Sequence, residues 1–89
     1  MSRWSLHFSK EAEQDLAELD SPIRTRIIVK LEWLMENFAS LTPAPLAAEW
    51  SDFFKLRVGD WRVVYTIHWT DHRIVVEYID RRDKIYKRR

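Results

Sequence analysis

The chain has no cysteine, a single glycine, three prolines and only three histidines among its 89 residues. Without cysteine it can form neither a disulfide framework nor a thiolate metal site, which is consistent with a reducing compartment. The histidines do not cluster with carboxylates, and no glycine-rich phosphate loop or Ser-His-Asp pattern is present. No apolar run reaches transmembrane length, and the N-terminus lacks the shape of a signal peptide. We therefore expect one cytoplasmic domain over residues 1–89, with no cofactor and no membrane association.

Charge is distributed unevenly along the chain. Residues 1–52 hold five Lys or Arg and nine Asp or Glu, a balance of −4, whereas residues 53–89 hold ten and five, a balance of +5. This asymmetry suggests that the second half contacts nucleic acid. A solvated basic tail is the alternative, because six of the last nine residues are basic.

The single glycine lies at the centre of a predicted β-hairpin. Residues 54–58 and 61–67 are rich in β-branched and aromatic side chains, and they flank Gly59-Asp60. A two-residue turn that begins with glycine suits the type II′ geometry, which requires a positive φ at its first central position. Because side chains alternate along a strand, one face of the hairpin should be apolar; it comprises Phe54, Leu56, Val58, Trp61, Val63 and Tyr65.

The opposite face of this hairpin should be basic. It carries Lys55, Arg57 and Arg62, and the predicted register places the two arginines directly opposite each other. Like charges in opposite positions destabilise a sheet. The pair therefore suggests that an anion binds at this face.

The N-terminal half predicts a strand and two helices. Alternation over residues 3–8 predicts a strand, and helical spacing predicts helices over 10–19 and 22–38, with Ser9 and Ser21 as their N-caps. The short connection favours an antiparallel helix pair. One apolar stripe follows the second helix, formed by Ile23, Ile27, Leu31, Leu34 and Phe38.

The remaining segments complete the predicted fold. Residues 39–52 read as a loop, with a helical turn possible near 47–50, and Asp71-His72 as a two-residue turn. That turn would pair Trp69 with Ile74, Ile67 with Val76, Tyr65 with Tyr78, and Arg62 with Arg81. The predicted class is α+β, with an N-terminal strand, an antiparallel helix pair and a three-stranded antiparallel meander that has one apolar and one basic face. Residues 80–89 fit a short helix, a tail or part of a site.

The cations of the second half suggest phosphate chemistry. Arginine binds phosphate bidentately, and lysine supplies a mobile point charge. Such groups can stabilise the negative charge of a pentacovalent phosphorane. RNA carries its own nucleophile, the 2′-hydroxyl, so an enzyme has only to align it, assist proton transfer and neutralise charge. Tyr86 is a candidate base, although simple phosphate binding fits the composition equally well.

Residues 55–65 resemble the hairpin motif of a known family, the RelE/ParE superfamily of toxins from type II toxin–antitoxin systems. The superfamily motif is K/R-L-R-x-G-x-(Y/W)-R-(V/L)-x-Y, and this chain reads KLRVGDWRVVY. The opening strand, the helix pair and the C-terminal segment 81–86 extend the resemblance over nearly the whole chain. The closer resemblance is to the RelE-like branch.

This resemblance implies a ribosome-dependent mRNA endoribonuclease that uses 2′-hydroxyl attack without a metal. The alternatives are an inhibitor of DNA gyrase and a non-catalytic module that binds nucleic acid or a partner. Implied partners are a cognate antitoxin, the ribosome and mRNA, and operator DNA through the antitoxin. The resemblance implies catalytic roles for Lys55, Arg62, Arg82 and Tyr86, and RNA-binding roles for Arg57, Arg81, Lys84 and Lys87.

The chain departs from the ribonuclease branch at two places. Phe53 stands where many members have lysine, and Asp80-Arg81-Arg82 stands where many have Gly-His-Arg or Gly-Lys-Arg. A histidine acid or base is therefore missing, and charge must substitute for it. A strict strand register also directs Arg82 away from Arg62, so the family match requires the last strand to end or bend near Asp80.

Overall fold

The computed structural model describes residues 3–47, 50 and 52–88 of the chain. A short 3₁₀ turn, Phe38–Ser40, follows the second helix. The elements in chain order are β1 (Ser5–Phe8), α1 (Lys10–Glu18), α2 (Ser21–Asn37), β2 (Ala44–Pro45), β3 (Phe54–Val58), β4 (Trp61–His68), β5 (Arg73–Arg81) and a C-terminal 3₁₀ helix (Ile85–Arg88).

The five strands form one mixed sheet in the order β1-β5-β4-β3-β2. The predicted meander of β3, β4 and β5 is present, and the N-terminal strand joins it as a parallel partner of β5. The predicted loop contributes β2 at the far edge, where Pro45 is tolerated because an edge strand leaves some N–H positions unused. These features confirm the α+β class. None of the described helices is long and apolar enough to cross a membrane.

Both helices pack on one face of the sheet and form the main core. Trp4, Leu6 and Phe8 pack against this core from the N-terminal segment, as predicted. Leu31 of α2 is 1% exposed and Val63 of β4 is fully buried, which confirms that the helical and strand stripes meet. Burial of these apolar side chains is the main source of stability.

The helix ends follow the sequence signals with one correction. Ser9 caps α1, since its Oγ accepts the Ala12 N–H at 3.0 Å and donates to the Glu77 carbonyl at 2.6 Å. The N-cap of α2 is Asp20, and the prediction of Ser21 was wrong. The reason is that the Asp20 carbonyl accepts the first helical bond, from the Arg24 N–H at 2.9 Å.

The predicted register of the second hairpin was also wrong. Its turn has four residues, Trp69–His72, so Ile67 pairs with Ile74. A β-bulge follows, in which Val64 pairs with Tyr78 but Tyr65 pairs with Val76, leaving one extra residue in β5. A bulge of this kind moves every later side chain to the other face.

This shift gives the second face of the sheet a small core of its own. It contains Val64, Tyr78, Leu46 and Ile85, all buried, with Trp50 and Phe53 packed around them. The second face was predicted to be basic, and the apolar cluster that it shares with the cations was not predicted. The predicted helical turn near 47–50 includes positions 48 and 49, which lie outside the described residues.

Candidate functional site

The Gly59-Asp60 turn brings together arginines from three elements, β3, β4 and α2. Gly59 has φ of +59°, as the predicted turn requires. The Gly59 carbonyl accepts a hydrogen bond from Arg62 Nη1 at 2.9 Å. Arg62 Nη1 also donates to the Trp61 carbonyl at 2.9 Å. Arg62 stands opposite Arg57, as predicted. A Cβ atom at Gly59 would lie 2.9 Å from Arg26 Nη2 of α2, so a larger residue would also have to displace this arginine.

The segment after β5 is fastened to the same turn. The Arg82 N–H donates to the Asp60 carbonyl at 2.9 Å, so the backbone of Arg82 lies beside the turn that holds Arg62. The residue opposite Arg62 on β5 is Asp80, and the prediction of Arg81 there was wrong, because the four-residue turn shifts the register by two positions and the bulge shifts it back by one.

Arg81 instead lies opposite Trp61, on the face that carries the helices. Its guanidinium carbon is 5.9 Å from the centroid of the Trp61 ring. An exposed ion pair also joins Arg81 Nε to Asp83 Oδ1 at 3.9 Å. Exposed pairs at such a distance contribute little to stability.

The C-terminal 3₁₀ helix brings Tyr86 against the sheet. The Tyr86 hydroxyl donates to the Leu46 carbonyl at 2.9 Å and accepts from Lys55 Nζ at 3.4 Å. Its ring stacks on Trp50, with centroids 5.7 Å apart and planes inclined by 22°. Tyr86 nevertheless remains 40% exposed.

A basic groove continues from this contact towards α2. It has a volume of about 750 Å³, and Lys55, Arg57 and Arg62 line it together with Lys30 and Trp33 of α2. Among the described residues that line it, none is acidic. Lys30 Nζ lies 4.0 Å from the centroid of the Trp33 ring. An extended polyanion is the ligand that such a lining favours.

The structure thus assembles part of the predicted set. Lys55 contacts Tyr86, and both hairpin arginines line the groove. The backbone of Arg82 is hydrogen-bonded to the Gly59-Asp60 turn. Lys84 and Lys87 are exposed on either side of Tyr86. Among the described residues, no group of three or more His, Asp or Glu side chains is placed to hold a metal ion.

Sequence reasoning missed the residues that support this set. Leu46, Trp50 and Tyr78 hold the C-terminal helix, and Lys30 and Trp33 extend the groove. One signal was available, since the run Val63-Val64-Tyr65 is apolar at consecutive positions. Such a run is typical of a strand that is buried on both faces.

Comparison with known proteins identifies the family. A family model described as the ParE toxin of the type II toxin–antitoxin system parDE matches residues 6–86. The chain belongs to this toxin family. The match confirms the resemblance to the RelE/ParE superfamily that the hairpin motif indicates. No curated protein matches the sequence significantly.

Solved structures of related toxins share the fold of this ParE-family toxin. The RelBE2 toxin–antitoxin complex of Mycobacterium tuberculosis matches with 25% identity and a TM-score of 0.75, over 92% of this chain and 94% of that chain. The isolated RelE toxin of E. coli matches with 19% identity and a TM-score of 0.74, over 96% and 93%. The RelB–RelE complex of Methanococcus jannaschii matches with 21% identity and a TM-score of 0.70, over 92% and 96%.

Proposed function

We propose that this toxin is a ribosome-dependent mRNA endoribonuclease. The observation that carries the proposal is the contact between Lys55 Nζ and the Tyr86 hydroxyl beside the basic groove. A phenol that can exchange a proton, a cation beside it and a groove for a phosphate backbone are the groups that RNA cleavage needs.

The proposed reaction uses the 2′-hydroxyl of the substrate as the nucleophile. Its oxygen attacks the adjacent phosphorus while its proton passes to Tyr86, which acts as the base in its phenolate form. The bond from phosphorus to the 5′-oxygen breaks, and this oxygen takes a proton from solvent. The products are a 2′,3′-cyclic phosphate and a 5′-hydroxyl, with no change in oxidation state.

The cations supply charge for this step. Arg62 is the proposed principal stabiliser of the phosphorane, because its guanidinium is already fixed by two carbonyls and lines the groove. Arg82 has a supporting catalytic role beside the same turn. Lys55 offsets the negative charge that the phenolic oxygen carries before it takes the proton. The remaining proposed cations bind the RNA backbone; they are Arg57, Arg81, Lys84 and Lys87.

A cleavage assay tests this function. Purified toxin is added to ribosomes programmed with a defined mRNA, and the RNA is followed over time on a gel. Cleavage at a codon in the ribosomal A site, with a 2′,3′-cyclic phosphate at the new 3′ end, is the expected result. Intact mRNA at toxin concentrations equal to those of the ribosomes would contradict it.

The proposed protein partner is a cognate antitoxin. Three of the solved structures with this fold are complexes by name: one is the RelBE2 toxin–antitoxin complex, and two are complexes of RelE with RelB. An acidic or amphipathic antitoxin segment would complement the second half of the chain, which carries a balance of +5. The toxin–antitoxin complex would bind operator DNA through the antitoxin. Calorimetric titration with the product of the neighbouring small gene should show binding, and no heat of binding would contradict the pairing.

Inhibition of DNA gyrase is the second candidate function. It is favoured by the family model, which is that of a ParE toxin, and by Arg81 at a position where ribonuclease-branch members often have histidine. A supercoiling assay with gyrase and relaxed plasmid distinguishes the two. Loss of supercoiling with intact mRNA would assign the toxin to gyrase, whereas salt-dependent RNA binding without either effect would leave a binding module.

A further inference from the structure

A buried hydrogen bond links the sheet to the segment that carries Tyr86. The Tyr78 hydroxyl of β5 donates to the Ile85 carbonyl at 3.0 Å, and both residues are almost fully buried, at 3% and 1% exposure. A buried phenol is costly unless it is hydrogen-bonded. Ile85 directly precedes Tyr86, so this bond fixes the peptide from which the Tyr86 side chain projects.

We propose that Tyr78 is a positioning residue for Tyr86, an inference that rests on the ribonuclease function proposed above. Tyr78 does not touch the substrate in this scheme. It sets where the Tyr86 hydroxyl lies relative to Lys55 and the groove, through the Ile85 carbonyl.

The C-terminal 3₁₀ helix requires such an anchor because it is too short to hold itself. Its backbone support includes the bonds Lys84 N–H to the Arg81 carbonyl at 2.9 Å and Lys87 N–H to the Lys84 carbonyl at 3.0 Å. Short 3₁₀ segments have poor hydrogen-bond geometry and depend on tertiary packing. The Ile85 side chain packs in the small core, and the hydrogen bond from Tyr78 fixes the orientation of the Ile85–Tyr86 peptide.

The opposite side of Tyr86 is held by a separate segment. The Leu46 N–H donates to the Phe53 carbonyl at 2.8 Å, and the Leu46 carbonyl accepts the Tyr86 hydroxyl. Trp50 stacks on the Tyr86 ring from the same segment. Tyr86 is therefore fixed at its backbone by Tyr78 and at its side chain by Leu46 and Trp50. Release of the backbone should let the hydroxyl move relative to Lys55 while leaving the cations of the groove in place.

The test is Tyr78→Phe, which keeps the ring in the apolar cluster and removes only the donor. In single-turnover cleavage of ribosome-bound mRNA, the maximal rate should fall about 10- to 100-fold, the cost expected for a small misplacement of a reacting group. The toxin concentration at half-maximal rate should not change. Ile27→Val is the matched control, since it trims a fully buried side chain of α2 in the main core, separate from the small core that holds Ile85, and should leave the rate unaltered.

A double-mutant cycle separates positioning from general stability. In a Tyr86→Phe background, adding Tyr78→Phe should change the rate less than about twofold, because the group that it positions is already absent. An equal loss in both backgrounds would overturn the proposal, since Tyr78 would then act independently of Tyr86.

A readout that needs no activity makes the inference independent of the enzyme assay. In the NMR spectrum, the nuclear Overhauser contact between the rings of Trp50 and Tyr86 should weaken in Tyr78→Phe, while that between Trp4 and Phe38 in the main core persists. An unchanged Trp50–Tyr86 contact would overturn the proposal. If the wild-type toxin leaves mRNA intact, the ribonuclease function fails, and the ring contact alone decides whether Tyr78 positions Tyr86.

Discussion

Lys55 Nζ lies 3.4 Å from the phenolic oxygen of Tyr86, across 31 positions of sequence. The two groups come from β3 and from the C-terminal 3₁₀ helix, so their contact exists only in the folded chain. The same oxygen also donates to the Leu46 carbonyl, which fixes its direction. In the proposed reaction this oxygen transfers the proton, and its contacts with a cation on one side and a backbone acceptor on the other would orient it before any substrate arrives.

The first prediction concerns this pair. Tyr86→Phe should lower the single-turnover cleavage rate by roughly 10²–10⁴-fold, the usual contribution of a positioned acid or base. Ribosome binding, measured by co-sedimentation, should change little because the ring still stacks on Trp50. Lys55→Met should also lower the rate, whereas Lys10→Met, at an exposed position on α1, is the charge-matched control. Full activity of Tyr86→Phe would remove the phenol from the mechanism.

The second prediction concerns Arg62. Arg62→Ala should slow cleavage by about 10²–10³-fold, as loss of one donor to a developing oxyanion typically does. Arg62→Lys restores the charge but not the planar fork that reaches the Gly59 and Trp61 carbonyls, so it should recover only part of the rate. Arg3→Ala is the control for net charge, because Arg3 is exposed at the other end of the chain. Equal rates for the Ala and Lys variants would indicate that geometry matters more than charge.

Much of the fold follows from local patterns. The two helices agree with their predicted bounds to within a residue at each end, and Gly59 fixes the first hairpin because a positive φ is required there. Local patterns did not predict the second hairpin correctly, because its turn has four residues and His72 adopts a φ of 50° within it. Its Trp69 contacts Trp4, with ring centroids 5.5 Å apart, and this tertiary contact is invisible to local pairing rules.

The candidate site was predictable only in its side-chain types. Residue types and a family motif identify Lys55, Arg62 and Tyr86, but a motif cannot tell which face of the sheet a later residue occupies. The bulge at Val64 and Tyr65 decides that question, placing Asp80 opposite Arg62. The small second core escaped prediction because its members come from four separate segments that show no common periodicity.

The third prediction tests the match between α2 and the sheet. Leu31→Ala should lower the free energy of unfolding by roughly 2–5 kcal/mol, because it leaves a cavity at a position that is 1% exposed. Val29→Ala on the same helix is the control, since Val29 is 57% exposed and should shift stability by no more than about 0.5 kcal/mol. Urea denaturation followed by circular dichroism measures both. A loss below about 0.5 kcal/mol for Leu31→Ala would mean that its side chain faces water, contrary to the core described here.

The last prediction concerns the pH dependence of stability. Burial raises the pKa of the Tyr65 hydroxyl from 10.0 to about 12. Below pH 10 this group is protonated in both the folded and the unfolded chain, so it contributes no slope there. Between pH 10 and 12 the unfolded chain loses the proton while the folded chain keeps it, and stability therefore falls as pH rises, by about 1.4 kcal/mol per pH unit. Tyr65→Phe has no such proton and should lack this component.

Urea titrations of both proteins at half-unit steps from pH 8 to 12 measure this component, because lysine and arginine titration is common to the two proteins and cancels in their difference. The difference in unfolding free energy should stay nearly constant up to pH 10 and then move in favour of Tyr65→Phe by roughly 2 kcal/mol at pH 12. A difference that stays flat over the whole range would mean that the Tyr65 hydroxyl ionises as readily in the folded chain as in the unfolded one, and so is reached by water.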